Sequence, residues 1–249
     1  MISKSQISFV KSLHQKKHRK EHNLFIIEGS KSVIEFINSK FTIDTIFFTA
    51  NVSPKLTNLS ATVKLQEITE AELTKISTLT TPQSILALVQ IPKAITPPSH
   101  LFIGTYTLIL DGIQDPGNLG TIIRTADWFG FKNIVCSNDT VETYNPKAVQ
   151  ASMGSLSRME IFYTHLPELL NSISVPIYGA LLTGQSVYKT QFENEGILIL
   201  GNEGKGISEG VIKKIQYPVT IPRFGEAESL NVAASAAIFC SEIKRNTVK

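Results

Sequence analysis

Three segments of the sequence combine turn residues with side chains that can bind or polarise a ligand. They are Asn118-x-Gly120-x-x-x-Arg124, then Gly201-Asn-Glu203-Gly-x-Gly206, then the stretch from Thr220 that contains Ile221-Pro and Ser229-Leu-Asn-Val232. Each lies where an apolar run, which we interpret as a strand, gives way to a turn. Open α/β sheets bind ligands at such points, so we expect the three segments to line one site.

The arginine of the first segment lies on a predicted helix and points away from its apolar face. At 100° per residue, Arg124 is about 140° from Leu119 around the helix. Asn118 is the predicted N-cap and Gly130 the predicted C′ residue. By itself, such an arginine is typical of a solvated surface, and Asp-Pro-Gly-Asn is typical of an ordinary turn. The apolar face recurs at spacings of three and four and consists of Leu119, Ile122, Ile123, Ala126 and Phe129.

The glycine-rich second segment matches neither common phosphate-binding pattern. A phosphate loop needs Lys and then Ser or Thr directly after Gly206, where Ile207 stands, and a dinucleotide fingerprint needs a third glycine where Glu209 stands. Ser208 is the predicted N-cap of the next helix. Because glycine has no Cβ, the backbone at Gly201 can approach a flat ligand closely, although a tight turn without any ligand explains the same residues.

The third segment opens a long predicted helix that is apolar on two faces, with Ser229 as its N-cap. A helix with two apolar faces must be buried on two sides. Its alanines allow close packing, so the helix fits either between the sheet and a second subunit or in the central core of a monomer. The first face carries Leu230, Ala233, Ala234, Ala237 and Ile238, and the second carries Val232, Ala236, Phe239, Cys240 and Ile243.

The elements that must position these segments form a predicted α/β domain. Apolar runs without alternation are typical of strands buried on both faces, as in a parallel sheet covered by helices. Such runs occur at 108–110, 133–136, 176–181, 197–200 and 218–221. Helices are predicted between and after them, at 119–129, 146–152, 166–172, 208–215 and 229–244.

A proline-rich stretch divides the chain. Three prolines lie between Pro92 and Pro98, where they can neither continue a helix nor donate to a central strand. We therefore predict a smaller α/β domain over residues 1–95 and a larger one over residues 96–249. The smaller domain begins with a basic helix at 4–15, and its other predicted elements are strands at 23–28, 45–49 and 84–91 and helices opened by Gly29 and near 71–77.

The composition indicates a folded chain. Hydrophobic residues make up 42% and charged residues 18%, which excludes a disordered chain, and the net charge of +3 permits but does not demonstrate nucleic-acid binding. Cys136 and Cys240 are too few for a disulfide framework or a zinc site, so we expect buried free thiols. The sequence has neither a signal peptide nor an apolar run near the roughly 20 residues of a membrane span, which predicts a cytoplasmic protein.

In their order and residue identities, the three segments closely resemble the SpoU/TrmH family of RNA ribose 2′-O-methyltransferases, which belongs to the SPOUT class. The resemblance covers about Leu108 to Arg245. Phe25-Ile-Ile-Glu-Gly29, following a basic helix, resembles more loosely the L30e-like RNA-binding domain that many members carry.

The resemblance implies a fold, a cofactor and an assembly. It implies a SPOUT domain with a parallel sheet and a deep trefoil knot, a rare exception to the usual absence of knots. It also implies that the knot loops hold S-adenosylmethionine at the interface of a homodimer. Carried over to this chain, the cofactor lies against Gly201, Ile221, Leu230 and Asn231, with Thr183 as a weaker candidate.

The resemblance further assigns catalysis to Arg124, with Asn118, Glu203, Ser229 and Asn231 around it. A guanidinium stays protonated in proteins, so we interpret Arg124 as a ligand of the substrate phosphate and a stabiliser of alkoxide charge rather than a base. In-line alignment of the hydroxyl with the methyl group would supply the remaining acceleration, and no metal is needed. Glu203 is either a base or the group that closes the glycine turn by accepting backbone N–H bonds.

The expected substrate is ribosomal RNA, because an appended L30e-like domain suits a large folded RNA, with transfer RNA as the alternative. Beside such a domain, Lys16, Lys17 and Arg19 are predicted to contact RNA phosphates, as is Arg124. The histidines spaced by four in the same basic segment are not expected to bind a metal, for want of a carboxylate or cysteine partner.

Two other functions stay open at this stage. The first is a non-catalytic RNA-binding dimer. The intact set of Asn118, Arg124, Glu203, Ser229 and Asn231 argues against it. The second is a nucleotide-dependent α/β enzyme, and the failed phosphate-loop and dinucleotide patterns disfavour it.

Overall fold

The computed structural model describes residues 1–52 and 59–247, which fall into two compact units. The first unit combines residues 1–93 with residues 142–158, and the second combines residues 94–141 with the chain from 159 onward. The sequence did not predict that 142–158 packs with N-terminal residues. The functional division of the chain at 95 and 96 stays a prediction. Within the described residues, no helix has both the length and the apolar character that crossing a membrane requires.

Helices and strands alternate through most of the described chain. Helices α1 to α9 span Lys4–Ser12, Lys16–His22, Ser30–Ile37, Glu70–Ile76, Pro116–Trp128, Pro146–Ala151, Leu166–Asn171, Glu209–Ile212 and Val232–Thr247. Strands β1 to β10 span Leu24–Glu28, Ile43–Phe48, Lys64–Glu67, Ile85–Gln90, Tyr106–Asp111, Asn133–Ser137, Glu160–Thr164, Ile177–Ser186, Gly196–Gly201 and Tyr217–Thr220.

The first unit is built on a four-stranded sheet in the order β1-β4-β2-β3. β4 pairs antiparallel with β1 and β2, and β3 runs parallel to β2. Ile26 and Phe47 pack with buried residues of α1 and α4 on one face. Phe25, from the alternate face of β1, contacts Phe36 of α3 and Tyr144 at ring-centroid distances of 5.9 and 4.6 Å. The 142–158 segment therefore helps to form this second layer.

The second unit contains a six-stranded sheet in the order β10-β8-β9-β5-β6-β7, in which every pairing is parallel. This confirms the predicted parallel sheet. The chain runs outward from β5 through β6 and β7, returns to β8, and then inserts β9 between β8 and β5. The strand order thus reverses beside β5, and such switch points are where open α/β sheets bind ligands. The trefoil knot stays a prediction.

Three elements were missing from the predicted pattern. α2 consists wholly of charged and histidine side chains, so no apolar stripe marks it as a helix. β3 and β7 are edge strands with few buried residues. β3 has Leu65 as its single apolar residue, whereas the short apolar run 161–163 of β7 was overlooked. The predicted basic helix at 4–15 is therefore two helices, of which the first ends at Ser12.

The start of α5 corrects the predicted cap. The helix begins at Pro116, and Asp115 is the N-cap, with Oδ1 accepting a hydrogen bond of 2.8 Å from the Asn118 backbone N–H. Proline favours the first helical position because its missing N–H would have no partner there. Asn118 lies inside the first turn, which leaves its side chain free for other contacts. Gly130, with φ of +71°, follows the helix as predicted.

The start of α9 also differs from the prediction. Asn231, not Ser229, caps the helix, because its Oδ1 accepts from the backbone N–H groups of Ala233 and Ala234 at 2.9 and 3.2 Å. Only one predicted apolar face is buried along its whole length, the face of Val232, Ala236, Phe239, Cys240 and Ile243. On the other face Ala233 is buried, Ala237 and Ile238 are half-buried, and Leu230 and Ala234 are exposed.

Candidate active site

The turns that follow β5 and β9 are joined at the carboxyl edge of the parallel sheet. Asp111 and Gly201, the last residues of the two strands, are paired. Asn202 donates through Nδ2 to the Gly112 carbonyl at 2.6 Å, and the Ser208 backbone N–H donates to Asp111 Oδ2 at 2.7 Å. These bonds fix the position of one turn relative to the other.

A chain of side-chain hydrogen bonds links the three segments that carry the candidate chemistry. Asn231 Nδ2 donates to Asn118 Oδ1 at 3.0 Å, and Asn118 Nδ2 donates to Glu203 Oε1 at 2.9 Å. An ionised carboxylate only accepts, so Asn118 must present its NH2 group to Glu203 and its oxygen to Asn231. The Asn231 oxygen in turn caps α9. Three of the predicted site residues therefore meet, and each amide has one orientation.

Gln114 belongs to the same network, although the sequence analysis did not single it out. Its backbone N–H lies 3.4 Å from Glu203 Oε2, and its Nε2 donates to the carbonyl oxygens of Gly112 and Asp139 at 3.2 and 2.8 Å. The available signal was its position between the end of β5 and the N-cap of α5, four residues before Asn118. The side chain thus orders the turn that presents Asn118.

Arg124 lies on the exposed side of α5. It follows Asn118 by six residues, which is about 9 Å along the helix axis. At 100° per residue, the two side chains are also about 120° apart around the helix. No hydrogen bond or ion pair engages its guanidinium among the residues that the structure describes. The donors are thus available to an anionic ligand.

Asn202 performs the role proposed for Glu203 within the glycine turn. Its Oδ1 accepts from the backbone N–H groups of Gly204 and Lys205, both at 2.9 Å. The turn-closing interpretation of Glu203 is therefore wrong, since that carboxylate binds Asn118 instead. Glycine is required at position 201 for a structural reason, because a Cβ there would lie 2.4 Å from the carbonyl carbon of Gly206. The close backbone approach is thus one within the turn.

Three of the five predicted cofactor residues lie on or directly after neighbouring strands of the sheet. Thr183 is exposed on β8, Gly201 ends β9, and Ile221 directly follows β10. β10 lies beside β8, with Thr220 paired to Ser186, and Thr220 Oγ1 donates to the Leu182 carbonyl at 3.1 Å. These stretches form one continuous edge with the Asn118 network.

Ser229 and Leu230 lie in an exposed stretch that runs from Arg223 to Asn231. Leu230 exposes 52% of its surface, and Phe224 in the same stretch exposes 96%. No hydrogen bond engages the Ser229 side chain among the described residues. Of the residues grouped around Arg124 in the sequence analysis, Ser229 is thus the one that the network does not include.

A model of the SpoU rRNA methylase family matches residues 105–241, which is more than half of the chain and contains all three segments. The chain belongs to this family. A second model, for an MRM3-like substrate binding domain, matches residues 4–87. The two matches lie on either side of the proline-rich stretch.

Individual members of the SpoU family resemble this chain over nearly its full length. A 23S rRNA (guanosine(2553)-2′-O)-methyltransferase of Bacillus subtilis is 31% identical over 94% of each chain. A TrmH-family protein from Porphyromonas gingivalis has a solved structure that is 38% identical, with a TM-score of 0.90 over 98% of this chain and 99% of that one. An AdoMet-bound rRNA methyltransferase from Sinorhizobium meliloti is 26% identical, with a TM-score of 0.89 over 100% and 98% of the two chains.

Within the basic N-terminal segment of this SpoU-family chain, Lys16 and Lys17 are exposed, as predicted for phosphate contacts. Arg19 is not. It is 1% exposed, its Nε and Nη2 donate to the two carboxylate oxygens of Glu142 at 3.0 and 3.1 Å, and its Nη1 donates to two backbone carbonyls at 2.8 Å. A guanidinium so enclosed has no surface for a phosphate, so we withdraw Arg19 from the predicted RNA contacts.

Both cysteines are buried and free, as predicted. Burial raises the pKa of the Cys240 thiol to about 12 and also raises that of Cys136. Neither thiol is therefore a nucleophile at neutral pH, because the reactive species is the thiolate.

Proposed function

We propose that this SpoU-family protein transfers a methyl group from S-adenosylmethionine to a ribose 2′-hydroxyl of ribosomal RNA. The observation that carries the proposal is the hydrogen-bonded chain Asn231–Asn118–Glu203 at the carboxyl edge of the sheet. Its middle residue, Asn118, lies on α5, the helix that exposes Arg124. The names of the relatives, which specify 23S rRNA and the 2′-oxygen, support the choice of substrate.

The residues at the ends of β8, β9 and β10 fit the cofactor. Leu182 and Leu230 expose 77% and 52% of their surfaces beside this edge, and Ile221 is half-buried. Such apolar side chains suit a flat adenine ring, whose edges need only backbone partners. When bound, S-adenosylmethionine supplies an electrophilic methyl group on a sulfonium centre, whose sulfur leaves as a neutral thioether without assistance.

We assign binding and alignment to the chain's own side chains. Arg124 binds an RNA phosphate and stabilises negative charge developing on the 2′-oxygen. Asn118 and Asn231 hold the turn and the start of α9 so that the hydroxyl oxygen lies in line with the methyl group. Glu203 accepts bonds from Asn118 and Gln114, which supports an orienting role rather than a base. The hydroxyl proton then leaves to water.

The exposed side of α9 supports assembly as a homodimer. Leu230 and Ala234 are exposed, and Ala237 and Ile238 only half-buried, on a helix whose opposite face is fully buried. Small residues allow a second copy to approach closely. Sedimentation velocity should show a dimer that Ala237→Glu dissociates, whereas Lys75→Glu, at an exposed polar position of α4, should leave it intact.

The first unit is the proposed RNA-recognition part, with Lys16 and Lys17 contacting phosphates. The match of residues 4–87 to a substrate binding domain supports this assignment. We place the protein in the cytoplasm, where ribosomal RNA is modified and where buried free thiols such as Cys136 and Cys240 are usual.

The deciding experiment uses RNA from a strain that lacks this gene. Purified enzyme and labelled S-adenosylmethionine should methylate its ribosomal RNA at one mapped 2′-oxygen that the parent strain already carries modified. Arg124→Ala should abolish transfer while Arg245→Ala, at an exposed arginine of α9, should not. Labelling of transfer RNA alone would replace the substrate assignment, and absence of S-adenosylmethionine binding by calorimetry would overturn the proposed activity.

A further inference from the structure

Two histidines and a glutamate form a compact cluster on α2 of the first unit. His18 Nδ1 lies 3.1 Å from Glu21 Oε2, and the rings of His18 and His22 are stacked at 15° with centroids 6.3 Å apart. One ligand atom from each of the three residues lies within 4.8 Å of the other two. From the sequence we expected no metal here, for want of a carboxylate partner. That reason is wrong, since Glu21 supplies one.

The spacing of the three residues follows from helix geometry. Residues three and four apart lie on one face of a helix, so His18 carries Glu21 and His22 beside it. Zinc bonds of about 2.0–2.2 Å in a tetrahedral site place ligand atoms about 3.4 Å apart. Glu21 and His22 are exposed and His18 is half-buried, so side-chain rotation can close the remaining gap. One coordination position is left for water.

The surroundings of the cluster also favour a cation. Glu21 and His22 lie in the last turn of α2, where the helix dipole attracts positive charge. Phe9 of α1 packs its ring against that of His22 at a centroid distance of 4.9 Å and an angle of 74°, which limits the positions of the imidazole. The exposed Lys17 and Lys20 oppose a cation, so the carboxylate of Glu21 is needed.

We propose that His18, Glu21 and His22 form a surface binding site for a divalent transition metal ion of the zinc class. Imidazole nitrogen with one carboxylate oxygen is a donor set that such ions prefer. The bound ion would cross-link the last turn of α2 and add positive charge beside the exposed lysines. The site is independent of the proposed methyl transfer.

The test is calorimetric titration of the full chain, without a histidine tag, with Zn²⁺ in a non-chelating buffer. We expect one equivalent to bind, and His18→Gln and His22→Gln should each weaken binding by at least about tenfold, since even outer-shell changes reach that size. Two controls should bind as the parent does. His14→Gln removes a ring that bonds the Ile76 carbonyl, and His165→Gln removes a histidine with only Glu168 beside it.

Co²⁺ provides a second measurement, because its visible absorption changes when nitrogen and oxygen ligands replace water. The change should appear with the parent and both controls and be lost with His18→Gln. Circular dichroism should confirm that each variant folds. Any of three results would overturn the three-residue site. They are loss of zinc binding in His165→Gln, an unchanged zinc affinity in Glu21→Gln, and no heat of binding with the parent.

Discussion

The buried ion pair between Arg19 and Glu142 separates a structural role of this arginine from an RNA-binding role. Its side chain is 2% exposed and that of Glu142 is 14% exposed, and the two form a bidentate pair. Arg19 also donates to the carbonyl groups of Leu13 and His14. The pair therefore holds α2, the turn before it and the 142–158 segment together within the first unit.

Replacing Arg19 with Met removes four hydrogen bonds and leaves a largely buried carboxylate without its partner. Breaking such a pair from one side costs about 3–5 kcal/mol. Because Glu142 retains some contact with water, we expect the low end, about 3 kcal/mol of unfolding free energy. Replacing both partners, as Arg19→Met with Glu142→Leu, should recover part of this loss, since no buried charge then stays unpaired.

The assay is urea unfolding followed by far-ultraviolet circular dichroism, together with amide hydrogen exchange in α2 and β1. Fluorescence alone is unsuitable because the single tryptophan, Trp128, lies in the second unit. Lys20→Met is the matched control, since this exposed neighbour should change stability by no more than about 0.5 kcal/mol.

The reasoning fails if Arg19→Met loses less than about 1 kcal/mol, which is the size expected of an exposed ion pair. It also fails if the variant keeps its stability but binds RNA with a smaller salt dependence. That second result would return Arg19 to the surface and to the phosphate contacts.

Three further predictions concern the candidate active site and the proposed phosphate contacts of the first unit. Arg124→Lys keeps the charge but loses the bidentate fork, so kcat/KM should fall about 10- to 100-fold, the effect of losing a charged hydrogen bond of about 1.5–3 kcal/mol. The pH–rate profile should not change. Near-full activity with a new ionisation near the lysine pKa would instead establish a base. Exchanging Lys16 and Lys17 for Ala should reduce the slope of log K against log salt by about 1.4, at about 0.7 per contact, and an unchanged slope would contradict phosphate binding. Gly201→Ala places a Cβ 2.4 Å from backbone atoms and should cost about 1–3 kcal/mol in thermal unfolding, whereas Gly204→Ala, whose nearest atom is 3.7 Å away, should not.

The sequence predicted the sheet and the location of the site for a physical reason. Apolar runs without alternation indicate strands buried on both faces, and β5, β6 and β9 are buried in this way. Parallel strands end at one edge, so the turns that follow β5, β9 and β10 had to be neighbours. The meeting of Asn118, Glu203 and Asn231 follows from the same topology.

What the sequence could not predict depends on pairing between distant residues. The burial of Arg19 requires Glu142, 123 residues later, and nothing local distinguishes this arginine from the exposed lysines beside it. Asn202 and Glu203 are adjacent acceptors, and only the position of Asn118 decides which of them faces the turn and which faces the helix. Local capping rules failed for a related reason, because Asn118 and Ser229 lie close to Asp115 and Asn231, which are equally good cap residues.

The network around Asn118 bears on how the reaction is divided among the site residues. A carboxylate that only accepts fixes one end of the hydrogen-bonded chain, and the N–H groups at the start of α9 fix the other, so the orientation of both asparagine amides is fixed. Side chains fixed in this way position a substrate but do not exchange protons with it. Arg124 differs, because no described residue engages its guanidinium, and a permanently charged group binds anions rather than removing protons. The arrangement therefore favours catalysis by alignment and charge stabilisation over catalysis by a base.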